Sequence, residues 1–187
     1  MKAAAIAIRL INRQLHNKVF EQITTPSDNP NYKKYTQELN GILCDKMSES
    51  NNKVNYFWGG KSSAIGWDSE WGKLKTVSAE GSKTTGTKRP FGLDCSGFVT
   101  WSFINSGYNA SAIGHGTKGQ IAKCSRISWS SAQAGDLAFY ADLSHVGIVA
   151  GKDAAGNILV IHCSSVRNNV VITTNSGFGF AARPNAY

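Results

Sequence analysis

The sequence predicts an α+β domain in which N-terminal helices pack on a central antiparallel β-sheet. Apolar residues recur at helical spacing twice between residues 3 and 47, and a third helical pattern opens at Asp94. From Gly135 onward the pattern changes to short β-rich runs separated by turn residues. Helices first and strands afterwards argue against alternating βαβ units. A length of 187 residues suits one domain, or one domain with a lead-in.

Residues 3–20 place Ile8, Ile11, Leu15 and Val19 on one helical face, and the stretch TTPSDNPN, with Pro26 and Pro30, ends that run. Residues 32–47 repeat the pattern with Tyr32, Tyr35, Leu39, Ile42, Leu43 and Met47, before the polar SESNN. Together, residues 1–54 read as a helical lead-in and 55–187 as the principal domain. The aromatic NYFWGG at 55–60 is followed by residues 61–93, which show neither period and read as a long ordered loop or insertion bordering a site. Its Trp67 and Trp71 either build the loop's own small core or stack on a sugar. Residues 94–107 predict a helix with Phe98, Val99 and Phe103 inward, stopped by Gly107. The strands follow as GDLAFY, HVGIVAG, NILVIHC and VVITT.

Composition excludes several classes. Hydrophobic residues at 41% and aromatics at 10% argue against disorder. The net charge of +8 is spread as 14 basic against 9 acidic residues before Cys95 and 6 against 3 from there on, so no nucleic-acid-binding arm is expected. The apolar AAAIAI at 3–8 is too short for a signal-peptide core, and the uncharged run 95–117 is too polar to span a membrane. An intracellular protein, or one whose leader or anchor has been removed, is therefore expected. Cys44, Cys95, Cys124 and Cys163 form no CxxC pair, which argues against a cysteine zinc site and leaves one disulfide among Cys44, Cys124 and Cys163 open. His16 and His115 are expected to be solvated.

The chemistry concentrates in the hairpin of 145–151 and 157–163, joined by KDAAGN. A regular hairpin centred between Asp153 and Ala154 places His145 directly opposite His162, with both rings on one face. A single bulge would spoil that register. No third ligand stands at metal-binding spacing, so the pair asks for a nucleophile, not a metal or cofactor. Cys95 opens the predicted helix, where unpaired N–H groups and the helix dipole favour a thiolate, and an adjacent imidazole would lower its pKa further. Nucleophile, base and orienting group then stand as Cys95, His145 and His162. Gly59 and Gly60 do not form a phosphate loop, because no GKS or GKT follows.

Four segments in this order resemble the NlpC-type cell-wall cysteine endopeptidases, a compact papain-like family: YFWGG at 56–60, DCSGFV at 94–99, QAGDLAFY with SHVGIVAG at 133–151, and VIHCSS at 160–165. The resemblance runs from about Asn55 to the C-terminus. It implies that Cys95 attacks an amide, that His145 is the general base, and that His162 fixes its imidazole. It further implies Tyr56 beside the cysteine, and Asp94, Ser96 and Ser144 lining subsites for a peptidoglycan stem peptide. The reaction implied is cleavage of the γ-D-glutamyl to diamino-acid bond through a thioester, by a monomer in the cell wall or secreted, with no cofactor. The family commonly has a short connection where residues 61–93 stand here. Rival readings are an amidase or acyltransferase with the same Cys-His-His machinery, or a wall-binding module without turnover.

Overall fold

A computed structural model describes residues 54–153 and 155–186. The expected helices at 3–20 and 32–47, His16 and Cys44 lie outside the described residues.

The described residues form the expected α+β arrangement, centred on a six-stranded antiparallel sheet. Four of its strands answer the β-rich runs: β6 (Leu137–Phe139), β7 (Val146–Lys152), β8 (Ile158–Ser164) and β9 (Asn169–Thr174). Two more, β5 (Cys124–Ile127) and β10 (Phe180–Pro184), extend the sheet to the order β5-β10-β6-β7-β8-β9. The segment of β5 is polar and half-buried at most, and β10 contributes Ala181 and Ala182, so neither carries a strong apolar alternation.

One helix, α1 (Cys95–Asn105), packs on the sheet, with Phe98, Val99 and Phe103 fully buried. Every residue from Cys95 to Phe103 is buried, because the insertion covers the face that the sheet leaves open. Trp71 of the insertion lies 5.6 Å from Trp101 of α1 and is 7% exposed, and Trp67 meets Trp71 edge-on at 4.9 Å. The two tryptophans therefore extend the main core; they neither form a separate one nor leave Trp71 open to a sugar. A short helix, α2 (Thr117–Ile121), seats the fully buried Gln120, whose Nε2 donates to the Ser96 carbonyl at 2.9 Å.

The insertion is not wholly without regular structure. Strands β2 (Leu74–Thr76) and β3 (Lys88–Pro90) pair antiparallel within it. Its base is closed by β1 (Asn55–Tyr56), paired parallel with β4 (Gly92–Leu93). Elements of two or three residues are too short to show a period.

The central hairpin departs from the regular register. Lys152 pairs with Ile158 and Gly151 with Leu159, but after a bulge between Val149 and Gly151 the pairs are Val149 with Val160 and Ile148 with Ile161. Continued, that register sets Gly147, not His145, opposite His162. The histidines are diagonal neighbours, two residues out of direct register, and an even displacement keeps both on one face. Without the bulge, Ile148 would stand opposite His162 and His145 would point to the other face. The bulge assembles the pair that a regular turn was expected to assemble.

Candidate active site

The glycines of the YFWGG and DCSG segments have a packing reason. A Cβ on Gly97 would stand 2.0 Å from the Gly60 carbonyl oxygen, and one on Gly60 would stand 2.4 Å from that of Gly92. The first turn of α1 therefore rests directly on the backbone of residue 60, whose carbonyl also accepts the Asp94 N–H at 3.1 Å. Asp94 is the N-cap of α1: its Oδ1 accepts from the Gly97 N–H at 2.6 Å and from the Ser96 hydroxyl at 2.9 Å. This sets Cys95 at the first helical position with its neighbours fixed.

Cys95 is 6% exposed. Burial first, and the Asp94 carboxylate second, push its thiol up to about 12, outweighing the backbone hydrogen bonds from Val146, Ser96 and Cys95 itself. The expectation of a thiolate favoured by the helix start is thus corrected: desolvation dominates the dipole. The Val146 backbone that reaches the sulfur is the residue next to His145, which brings the head of β7 to the start of α1.

The imidazoles are neutral as well. Burial lowers His145 to about 4; burial and then the charge of His145 lower His162 to about 3. No imidazolium stands ready to lower the thiol. His145 Nε2 and His162 Nδ1 are 2.7 Å apart, and His162 Nε2 lies 3.2 Å from the Thr173 hydroxyl. Thr173 in turn donates to the Thr174 carbonyl at 3.0 Å. A hydroxyl whose proton is so engaged accepts from His162 Nε2–H, so His162 Nδ1 accepts from His145 Nε2–H. His145 Nδ1 is left with a bare lone pair, the atom a general base needs.

Phe178 walls the dyad, with its ring 5.5 Å from His162 and 6.0 Å from His145, and the Tyr140 ring lies tilted beside His145 at 4.9 Å. Thr173, Tyr140 and Phe178 were not anticipated. Thr173 is the fourth residue of the VVITT run, and only its pairing with Val160 on β8 shows what it faces.

The remaining candidates divide. Tyr56 is near the cysteine: its phenol is raised by burial and then by the charges of Cys95, Asp94 and Cys163. Asp94 is half-buried and its carboxyl is raised by desolvation. Ser96 is 5% exposed and turned onto Asp94. Ser144 is exposed, with its hydroxyl donating to Asp142 at 2.7 Å. His115 is exposed, as expected, and lies within electrostatic reach of Lys61 and Asp94. Cys95, Cys124 and Cys163 are free thiols. Among the described residues, no group of three or more His, Cys, Asp or Glu side chains could hold a metal ion, and no helix is long and apolar enough to cross a membrane.

The sequence model of the NlpC/P60 family matches residues 53–183. A probable endopeptidase of Mycobacterium bovis is 37% identical over 105 residues, 52% of this chain and 24% of the relative. A probable endopeptidase of Corynebacterium glutamicum is 36% identical over 67 residues, 35% of this chain and 31% of the relative. The chain thus spans only about a quarter to a third of the length of these curated relatives. Among solved structures, the peptidoglycan hydrolase RipB of Mycobacterium tuberculosis is similar with 19% identity and a TM-score of 0.49, covering 97% of this chain and 82% of that one. The NlpC/p60 domain of the peptidoglycan hydrolase SagA shows 26% identity and a TM-score of 0.45, covering 70% and 86%. Since the family match runs from before β1 into β10 and takes in more than half of the sequence, this chain belongs to the NlpC/P60 family.

Proposed function

We propose that the domain hydrolyses an amide bond in peptidoglycan stem peptides, with Cys95 as nucleophile, His145 as general base and His162 as orienting group. The observation that carries the reading is the directional chain from His145 through His162 to Thr173, which leaves the His145 Nδ1 lone pair free at the head of the strand that touches Cys95. The substrate class comes from the family and from relatives described as endopeptidases or peptidoglycan hydrolases. Such a substrate implies action outside the cytoplasm, at the cell wall.

Both partners start neutral, so proton transfer accompanies attack. Cys95 Sγ bonds to the scissile carbonyl carbon as its proton passes to His145 Nδ1, and His162 holds the imidazolium that forms. Backbone N–H groups at the start of α1 stabilise the oxyanion. His145 then returns the proton to the leaving amine, giving a thioester. Water, deprotonated by His145, attacks the thioester and releases the acid and the thiol. Tyr56, Asp94, Ser96 and Ser144 are assigned to substrate binding, with Asp94 also capping the helix that carries the nucleophile. The bond assigned is that between γ-D-glutamate and the diamino acid.

The test is incubation of the wild type and Cys95→Ala with purified muropeptides and stem tri- and tetrapeptides, with products read by mass spectrometry. Release of an L-Ala-γ-D-Glu fragment by the wild type alone is expected. Equal action by both proteins would refute the nucleophile, and a different product would refute the bond.

A further inference from the structure

The insertion builds a cavity of about 430 Å³ against the active-site segment. Val77, Ser82, Thr84 and Arg89 come from the insertion, Tyr56 and Trp58 from the segment leading into it, and the β8–β9 turn closes the far side. Tyr56 connects this cavity to the reaction centre, because it lines the one and, in β1, pairs with Leu93, two residues before Cys95, in the other.

The lining has a definite chemistry. Arg89 supplies its cation; the guanidinium is exposed, touches Thr87 Oγ1 only at 3.4 Å, and forms no ion pair with a carboxylate among the described residues. No acidic side chain lines the cavity. Ser82 and Thr84 are both half-buried; Ser82 Oγ accepts the Thr84 N–H at 3.1 Å and shares a hydrogen bond with Thr84 Oγ1 at 2.8 Å, which leaves each hydroxyl at least one further hydrogen-bonding position for a ligand. The walls are held in place: the Trp58 indole N–H donates to the Glu80 carbonyl at 2.8 Å, and Asn168 Oδ1 accepts the Tyr56 N–H at 2.9 Å. A free guanidinium, hydroxyls and an aromatic wall, in a volume typical of ligand sites, suit a carboxylate carried on a polar chain. They do not suit a cation or a purely apolar group.

We infer that this cavity binds a carboxylate of the stem peptide next to the scissile amide, with Arg89 as the specificity-determining residue. The inference rests on the proposed substrate class and gives the insertion its role, which is selection for unamidated stems. The carboxylate can come from the glutamyl residue or from the diamino acid, and the two are separated by amidating one at a time.

The experiment compares wild type, Arg89→Gln and Arg89→Lys on matched stem peptides with both carboxylates free, with one amidated, or with the other amidated. A charge-assisted hydrogen bond lost from a substrate contact corresponds to about a tenfold to hundredfold change. Arg89→Gln is expected to lose that factor in kcat/KM, mainly through KM, on the free-carboxylate peptide, and to lose nothing on the peptide amidated at the bound position. Arg89→Lys is expected to recover part of the loss, because it keeps the charge without the bidentate fork. An equal loss on free and amidated peptides, or no loss on any, would overturn the inference.

Binding of the same peptides to Cys95→Ala, with and without Arg89→Gln, is followed by nuclear magnetic resonance titration and separates the two ideas. Arg89-dependent binding of the free-carboxylate peptide, if the wild type cleaves none of them, would sink the proposed reaction and leave the cavity assignment standing. Cleavage by the wild type with Arg89-independent binding would do the reverse.

Discussion

Alkylation of Cys95 by iodoacetamide across pH tests whether the resting nucleophile is a neutral thiol. Burial and the Asp94 carboxylate raise the group from 9.0 to about 12, which at roughly 1.4 kcal/mol per pH unit disfavours the thiolate by about 4 kcal/mol. At pH 7 the thiolate fraction is then on the order of 10⁻⁵. The alkylation rate of native protein should climb about tenfold per pH unit from pH ~6 to ~10, with no plateau. Cys163 is completely buried, Cys124 is half-buried and Cys44 lies outside the described residues, so the measurement is made in a Cys44→Ser, Cys124→Ser background. Asp94→Asn keeps a helix-capping side chain while removing the repelling charge, and should speed alkylation several-fold at a given pH. In the same protein kcat/KM should fall below pH about 4, where His145 takes up its proton, and should hold level through mildly alkaline pH. A rate of alkylation that is flat from about pH 5 to 8 would show a thiolate already formed beside an imidazolium, and would refute the reasoning that desolvation governs this site.

Three further outcomes follow from the geometry. Thr173→Val removes the acceptor that orders both imidazole tautomers, and kcat should drop about threefold to tenfold with KM little changed, while Thr173→Ser retains activity; an unchanged pH–rate profile in the valine variant would count against the relay. Gly147→Ala would bring a Cβ within 2.9 Å of the His162 Cβ and 2.5 Å of Val160 Cγ1, so turnover and melting temperature should both fall, as checked by kinetics and calorimetry. His145 and His162 are neutral in the fold with pKa values of about 4 and 3, below the ordinary histidine value. The unfolded chain therefore binds more protons between those values and about 6.5, and the stability from these groups is present above pH about 6.5 and lost as pH falls toward 3. Urea unfolding followed over that range should show the loss, and His162→Gln should make it shallower.

Much of the architecture is legible in local chemistry. β-branched runs punctuated by Gly, Asn and Asp mark β6 to β9, because strand propensity and turn formation act over a few residues. The helix at Cys95–Asn105 is announced by its capping Asp94 and closed by Gly107, which adopts a positive φ of 89°. The placement of Cys95 on a helix start, of His145 at the head of one strand and of His162 within its neighbour can likewise be read from order and spacing. The short pairs β1 with β4 and β2 with β3 cannot, since pairing across the insertion depends on what closes it and on no periodicity of its own.

The composition, the order of the elements and the candidate nucleophile and base were thus determined by the sequence alone. Tertiary structure decided three things that the site depends on. The bulge at Val149 and Gly151 corrected the register by one residue and so the face of His145, because side chains alternate with a period of two and an odd slip reverses them. Thr173 came under His162 only through the β8–β9 pairing, in which His162 stands opposite Val171. The thiol rose to about 12 where a helix start alone favours the opposite. Desolvation sums over everything that covers a group, and the cover on Cys95 comes from segments far apart in the chain.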